Sequence, residues 1–359
     1  MYTFRHIQPT MELWERIESS EDATCFHTKA WYKHLQNTYH YKPFLVEISS
    51  EDIVGGVFCG IRKFGGYIYA PPMGTGTYTQ GIVAFGAISN EERVLMYKEL
   101  AEWVFDHGMA RAIKVDDWAL RQDYTDKEWI SEYLYRDPFL NGIEHIGRPV
   151  YTIDLTAKEE ELWNRLQYKS CKYCINKARR YGLSVRQIKS HEEIANFVKI
   201  HVEQINDVSH RHGEKGARYQ NFKELYNLCT TLFPDKVLML QVIGEDEDGK
   251  GQIMSSGIWI VGKSQTIWYT ASSYQRYQKY CPNELMNWEA MLLLHRLGCH
   301  CANTGGVALY KKKYGSKLEY IPRMIFRKTP FTILPDEIIK SLYVKLRMLK
   351  RKWNSKILN

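Results

Sequence analysis

The sequence has 359 residues, of which 44% are hydrophobic and 25% charged, close to the composition of an ordinary globular protein. Its 25 tyrosines, 13 phenylalanines and 10 tryptophans exclude a disordered chain, and the length predicts two domains or one large duplicated domain. The formal net charge is +8, which indicates an anionic partner only where the charge is clustered.

The N-terminal segment lacks an apolar stretch behind a basic start, and no part of the sequence approaches the roughly 18 consecutive apolar residues of a membrane span. We therefore expect a cytoplasmic protein in which the eight cysteines are reduced thiols.

A repeated order of elements is the most informative feature of the sequence. Both halves read as strand, turn, strand, strand, helix, strand. The first copy covers strands at 43–48, 53–61, 66–70 and 110–117 with a helix at 91–107; the second covers strands at 236–244, 252–261, 266–271 and 300–306 with a helix at 284–297. This pattern predicts an α/β (α+β) protein in which a mixed sheet with packed helices is built twice.

Further helices are predicted before each hairpin, at 28–38, 158–181 and 192–208. Gly182 stands where a helix C-cap needs a left-handed residue, and a strand resumes at 183–185. A polar, glycine-containing stretch at 141–148 predicts the boundary between an N-terminal domain, 1–147, and a C-terminal domain, 148–326.

Two motifs in the second half carry a family resemblance. The run Tyr310-Lys311-Lys312-Lys313-Tyr314-Gly315 fits an FKxxFG pattern, with tyrosine for both phenylalanines, and CINKARRYG at 174–182 fits N-I-R-K-A-x-x-x-G. Over residues 150–326 the sequence resembles the FemABX-type aminoacyl and peptidyl transferases and related acyltransferases of the GNAT-fold superfamily. It departs from them at Cys174, at Asn176 and at Asn303, where the family has Asn, Arg and Asp.

The resemblance implies two tandem GNAT-like domains, each a mixed and mostly antiparallel sheet flanked by helices, with a cleft between them. It also implies acyl transfer from an activated donor to an amine. The donor implied by the resemblance is acyl-CoA or aminoacyl-tRNA, and no tightly bound cofactor and no metal are expected. The expected acceptor is a small molecule or a cell-envelope precursor, such as a peptidoglycan or sugar-type amine, and no stable DNA partner is expected.

Lys311 is the central catalytic candidate. Attack of an amine on a thioester or ester builds negative charge on the carbonyl oxygen, and a nearby cation lowers that barrier. By the resemblance, Lys311 stabilises the transition state and Tyr310 and Tyr314 flank the reacting groups. The alternative is a solvated turn, the usual fate of a lysine run.

The remaining candidates divide between catalysis and binding. Tyr269 is a candidate proton donor or wall residue, although a strand tyrosine is a core residue by default. Arg211 suits a phosphate or carboxylate but also suits a helix C-terminus. The other candidate substrate-binding residues are Asn176, Lys177, Tyr314, Asn303, Gly305 and Gly306.

Other kinds of site fit the sequence less well. Cys171 and Cys174 form a CxxC motif, but the sequence has no second pair at the spacing that a zinc site needs. Glu289 is either a general base for the attacking amine or a local salt-bridge partner beside a core Trp288. The sequence contains no G-x-S-x-G elbow, P-loop or Rossmann fingerprint, and it lacks the GNAT pyrophosphate signature R/Q-x-x-G-x-G/A, which leaves the donor open. The glycine-rich segment 65–81 is a candidate substrate wall.

The segment 335–359 predicts a basic amphipathic helix, with seven lysines and arginines against two acidic residues. Three roles are possible for this helix. It packs on the first domain together with the rest of 327–359, it contacts an anionic membrane, or it binds a tRNA donor. A rival function from another class remains: a non-catalytic binding protein that keeps the duplicated fold and recognises an anionic sugar nucleotide or nucleic acid.

Overall fold

The computed structural model describes residues 2–50, 55–63, 67–70, 81–123, 148–211 and 222–329. The predicted helix at 335–359, most of the segment 65–81 and the predicted boundary at 141–147 lie outside these residues. No helix in the described part of the chain is long and apolar enough to cross a membrane.

The first half builds a seven-stranded sheet in the order β1-β2-β3-β4-β6-β15, with β5 paired to β3. Its strands are β1 (Thr3–Ile7), β2 (Lys42–Ser49), β3 (Gly56–Lys63), β4 (Tyr67–Ala70), β5 (Gly81–Ala84), β6 (Ala112–Asp116) and β15 (Arg323–Arg327). All pairs are antiparallel except β4 with β6, which run parallel over four register positions.

Three helices accompany this sheet: α1 (Met11–Ser19), α2 (Lys29–Tyr39) and α3 (Asn90–Asp106). Each begins behind a hydroxyl N-cap, namely Thr10, Thr28 and Ser89, whose side chain accepts a backbone N–H of the first turn. These caps satisfy donors that a helix start leaves unpaired, so the local sequence sets where each helix begins.

The second half builds an eight-stranded sheet in the order β7-β14-β8-β13-β12-β11-β10-β9. Its strands are β7 (Gln122–Asp123), β8 (Arg148–Asp154), β9 (Ser184–Gln187), β10 (Val237–Glu245), β11 (Gly251–Ile260), β12 (Thr266–Ser273), β13 (Cys301–Asn303) and β14 (Lys317–Ile321). Only β12 and β13 pair in parallel. The expected fold of two mixed, mostly antiparallel sheets flanked by helices is confirmed.

The helices of this half are α4 (Glu159–Arg165), α5 (Tyr173–Arg180), α6 (His191–Arg211), α7 (Phe222–Leu232) and α8 (Pro282–Arg296). Short 3-10 helices cover Gln275–Tyr280 and Leu309–Tyr314, and a π-helical turn covers Tyr168–Lys172. Gly182 ends α5 at a φ of 70°, as predicted from its position.

The single helix predicted over 158–181 is instead broken between α4 and the π-helical turn. Leu166 and Gln167 are extended, and the backbone N–H of Gln167 donates to the carbonyl of Lys313 at 2.9 Å. A contact to a segment far along the chain thus takes the hydrogen bond that would have continued the helix, and no local pattern reports such a contact.

A shared hydrophobic core joins the two halves. One buried cluster contains Trp31 and Leu35 of α2 together with Phe197 of α6 and Leu228 of α7. Each half also contributes a strand to the sheet of the other half. Strand β7 lies in the second sheet, and β15, from the predicted C-terminal domain, lies in the first. The boundary at 147 and 148 stays a prediction, because the residues before it lie outside the described ranges.

Candidate active site

A gap opens between the two parallel strands of the second sheet. β12 has eight residues and β13 three, and they pair only at Thr266 with Ala302 and Ile267 with Asn303. Beyond Ile267, β12 has no strand partner on that side within the described chain. The corresponding strands of the first sheet, β4 and β6, pair over four positions. The second sheet therefore offers an open strand edge to an extended ligand.

After β13 the chain makes a turn that contains two consecutive glycines. Gly305 and Gly306 have φ values of 69° and 78°, in the left-handed region that favours glycine. The Asn303 side chain accepts the Gly305 N–H at 2.9 Å, and the Thr304 N–H donates to the Tyr151 carbonyl at 2.9 Å. These bonds hold the turn at the mouth of the strand gap.

Lys311 is buried against this turn, with 6% of its surface exposed. Its ammonium donates to the carbonyl of Thr304 at 2.6 Å and to the carbonyl of Gly305. Burial disfavours the charged form and lowers the pKa of Lys311 to about 8. An ammonium has three donors, and no described residue accepts the third. The geometry therefore differs from the solvated turn expected of a lysine run.

Tyr314 lies fully buried beside the gap. Its ring meets the Trp268 ring edge-on at 5.2 Å between centroids, and its hydroxyl accepts from the Asn287 side chain at 2.8 Å. Lys313 pairs with Glu284, and its ammonium lies 5.2 Å from the centre of the Tyr314 ring. These contacts fix the ring of Tyr314 against β12 and α8.

Three buried polar atoms in this region have no hydrogen-bond partner among the described residues: Nδ2 of Asn303, Nε1 of Trp268 and Oδ1 of Asn287. Buried polar groups in folded proteins are nearly always paired, so each needs an explanation. Two donors and one acceptor on residues that border the strand gap or Tyr314 suit a ligand that carries amide groups.

Other predicted residues lie on the neighbouring surface. Tyr310 is exposed, and its ring centre lies 5.8 Å from the Lys313 ammonium. Asn176 lines a shallow recess with Tyr168, Tyr173, Arg179 and Arg180.

Lys177 lies on the same helix as Asn176, half-buried, 6.0 Å from the centre of the Tyr181 ring. Gln167, the residue just before the π-helical turn that precedes this helix, is bonded to the 3-10 helix that carries Lys311. Asn176 and Lys177 are thus near the segment of Lys311, but no described bond joins them to its ammonium.

Tyr269 lies apart from the other candidates. The register between β11 and β12 shifts between Ile258 and Trp259, which makes Tyr269 the extra residue of a β-bulge. It packs against the core cluster shared by the two halves, whereas Trp268 and Tyr314 pack in a different cluster. The structure therefore does not bring Tyr269 together with Tyr314, and its catalytic role stays a prediction.

The structure leaves the role of Arg211 untested and shows Glu289 in a salt bridge. Arg211 is the last residue of α6, and its side chain lies outside the description. Glu289 pairs with Arg179 at 3.1 Å and Trp288 is buried, so the local salt bridge rather than the general base is what the structure shows. No group of three potential metal-binding side chains is present among the described residues.

Helix α8 contributes residues to this region that no sequence pattern indicated. Glu284 and Asn287 are three residues apart and therefore share one helix face, which packs toward the 3-10 helix of Lys311. Their spacing was visible in the sequence, but it does not say which distant segment that face meets.

Comparison with known proteins agrees with the fold. Residues 165–312 match the family model of an acetyltransferase (GNAT) domain, and no curated protein sequence matches the chain. The structure of FemX superposes with a TM-score of 0.67 at 14% identity, over 88% of this chain and 96% of that chain.

Two further solved structures share the architecture. A conserved protein of unknown function from Bacteroides thetaiotaomicron VPI-5482 gives a TM-score of 0.56 at 10% identity, over 90% of this chain and 100% of that one. L-PGS from Bacillus licheniformis gives 0.50 at 10% identity, over 96% and 97%. At these identities the likeness shows the fold, and the GNAT domain match carries the activity class. Residues 165–312 are accordingly a GNAT-type acyltransferase domain, in a chain that shares the fold of FemX.

Proposed function

We propose that this protein is an N-acyltransferase that moves an acyl or aminoacyl group from an activated donor, acyl-CoA or aminoacyl-tRNA, to an amine of a cell-envelope or sugar-type acceptor. The supporting observation is Lys311, a buried cation with a free donor position, held by the Thr304 and Gly305 carbonyls at the end of β13. The match to an acetyltransferase (GNAT) domain and the fold shared with FemX and L-PGS support acyl transfer in general, and both donor classes are retained for testing.

In this reaction the amine nitrogen attacks the donor carbonyl carbon. A C–N bond forms and the C–S or C–O bond of the donor breaks, while the amine proton goes to the leaving thiol or hydroxyl group. The carbonyl oxygen carries negative charge in between, and the third N–H of Lys311 can donate to it. Because the lysine is already buried and oriented, it needs no reorganisation when that charge appears.

The open edge of β12 supports a role in donor binding. An extended molecule with amide groups can lie along β12 beyond Ile267, where β13 no longer pairs with it, as an added strand would. The unpaired atoms of Asn303 and Trp268 add two donors at the same place. Acyl-CoA carries such an extended amide-containing arm, so this edge favours it as the first donor to test.

The test is a transfer assay with a panel of acyl-CoAs and charged tRNAs and with amine acceptors from amino sugars to peptidoglycan precursors. Lys311→Met keeps the side-chain volume and removes the cation, so we expect turnover to fall by about 100-fold or more with little change in the thermal midpoint. The matched control is Lys312→Ala at the exposed neighbouring position, which should retain activity with soluble acceptors.

Full activity in Lys311→Met would refute the central role of Lys311. Saturable binding of a CoA thioester alone, or of charged tRNA alone, decides the donor. If neither donor binds and no acyl transfer is detected, the non-catalytic binding protein becomes the better description.

A further inference from the structure

The exposed apolar side chains of this protein are concentrated in two short segments. Eleven large apolar or aromatic side chains are exposed in the described chain, and six of them lie at 168–181 and 307–310. The exposed fractions reach 75% for Tyr168, 73% for Leu309 and 59% for Tyr310. Single exposed apolar residues are ordinary, but a cluster of them indicates an interaction surface.

The two segments are neighbours in space. Gln167, just before Tyr168, donates its backbone N–H to the carbonyl of Lys313 at 2.9 Å, and the Lys313 ammonium lies 5.8 Å from the centre of the Tyr310 ring. We call the resulting patch the basic aromatic surface and define it by Tyr168, Lys169, Tyr173, Leu309, Tyr310 and Lys312.

The basic aromatic surface is positively charged. The sequence holds five lysines and arginines at 167–181 and four lysines at 304–318, with no acidic residue in either range. Glu289 and Glu284 neutralise Arg179 and Lys313, but no described carboxylate pairs with Lys169 or Lys312. The surface therefore complements a partner with distributed negative charge.

We propose that the basic aromatic surface docks on a lipid bilayer that contains anionic lipids. Tyrosine rings and aliphatic side chains enter the boundary between headgroups and acyl chains, while lysines remain at the headgroup level. A nucleic acid would use the cations and could stack on the tyrosines, but it would gain little from Leu309 and Val307, which are also exposed. The aliphatic side chains are why the observations favour a membrane.

This inference does not depend on the acyl transfer reaction. It predicts where the protein binds when no donor or acceptor is present, and Lys311→Met, whose altered side chain is buried, should bind the membrane as the wild type does. If it is correct together with the proposed function, an acceptor attached to a lipid would meet the enzyme at the segment that carries Lys311.

The experiment is cosedimentation of the full chain with vesicles of phosphatidylcholine alone or with about 30% phosphatidylglycerol, at low salt and at about 0.5 M NaCl. We expect binding to the anionic vesicles only, weakened by salt. The double variants Tyr168→Ser with Leu309→Ser, and Lys169→Glu with Lys312→Glu, should each reduce the affinity at least about tenfold.

The matched control is Leu95→Ser with Lys33→Glu, which alters one exposed apolar and one exposed basic residue of the first half and should leave vesicle binding unchanged. Thermal midpoints equal to the wild type establish that the variants are folded. Absence of vesicle binding, or binding that the first two variants leave intact, would overturn the proposal. The proposal would also be overturned if vesicles did not bind and bulk tRNA bound equally well to the wild type and to Tyr168→Ser with Leu309→Ser. That result would identify a nucleic-acid surface instead.

Discussion

The buried ammonium of Lys311 links activity to pH. Desolvation lowers its pKa to about 8, so the charged form that stabilises an oxyanion is present below that pH and is lost above it. We therefore expect kcat/KM to fall as the pH rises through about 8, even though the acceptor amine becomes a better nucleophile over the same range. A pH–rate profile measures this effect. Lys312→Ala should keep the same alkaline limb, and a rate that continues to rise above about pH 9 would contradict the assignment.

The hydrogen bond from Asn287 to the Tyr314 hydroxyl joins α8 to the 3-10 helix of Lys311. Tyr314→Phe leaves the Asn287 amide without its partner in a buried place, and we expect this to lower the free energy of unfolding by about 1–2 kcal/mol. Tyr310→Phe, at an exposed ring, should change it by less than about 0.5 kcal/mol.

A double-mutant cycle that combines Tyr314→Phe with Asn287→Leu measures the energy of the hydrogen bond between the two side chains. Because the double variant removes both polar partners, it should lose less than the sum of the single variants. Strict additivity, measured by urea denaturation, would show that the two side chains do not interact in solution.

At the scale of elements, the Gly305-Gly306 turn positions the carbonyls that hold Lys311. Gly306 has a φ of 78°, and an added Cβ would meet nothing within 4 Å, so Gly306→Ala introduces backbone strain without a clash. Gly108 at the end of α3 has a φ of 63° and is equally open, which makes Gly108→Ala the matched control.

Both substitutions should lower the free energy of unfolding by a similar amount, about 1–2 kcal/mol. Only Gly306→Ala should also reduce kcat, because it alone disturbs the turn at Lys311. Equal activity of the two variants would mean that the turn geometry does not matter for catalysis. Stability is read from urea denaturation and kcat from the transfer assay.

The strand gap also arises at this scale. Two halves with the same order of elements differ in the pairing of their parallel strands, four positions for β4 with β6 and two for β12 with β13. The open edge, the glycine turn and Lys311 occur together in the second half, which supports the proposal that the chemistry takes place there.

At the scale of the whole molecule, three buried histidines connect folding to pH. Burial lowers the pKa of His27 and His34 to about 4 and that of His201 to about 3. In the unfolded chain a histidine takes up a proton near pH 6.5, so acid favours the unfolded state. Their stabilising effect is complete above pH 6.5 and is lost as the pH falls toward 4.

The expected cost is about 1.4 kcal/mol per pH unit for each histidine between pH 6 and pH 4. His201, which is bonded to Ser256 and Thr270, gives the cleanest test. His201→Gln should reduce the slope of unfolding free energy against pH by about 1.4 kcal/mol per pH unit, the contribution of one buried histidine. Urea denaturation between pH 6 and pH 4 measures the slopes, and equal slopes for wild type and His201→Gln would exclude this account.

The shared core predicts that this acid response belongs to the molecule as a unit. His34 lies on α2 of the first half and bonds to the backbone of Asn227 on α7 of the second. Because one hydrophobic cluster spans both halves, each half loses part of its buried surface if the other unfolds.

The sequence by itself determined the fold class and the repeated order of strands and helix in the two halves, because glycine positions and hydrophobic periodicity are local. It did not indicate the strand Thr3–Ile7 or the helices Met11–Ser19 and Phe222–Leu232. It placed α2, α3 and the hairpin strands close to their observed bounds, and it identified Lys311 through a short motif. Those signals need no knowledge of distant contacts.

Only the tertiary structure decided which of the predicted residues meet. The break before Tyr168 depends on a contact between Gln167 and Lys313, more than a hundred residues apart, and the pairing of Glu284 with Lys313 joins two elements 29 residues apart. The separation of Tyr269 from Tyr314 depends on a strand bulge. It also decided that Lys311 is buried, which gives the lysine its lowered pKa. Burial is a property of packing, and a sequence motif states only which residue is available to be packed.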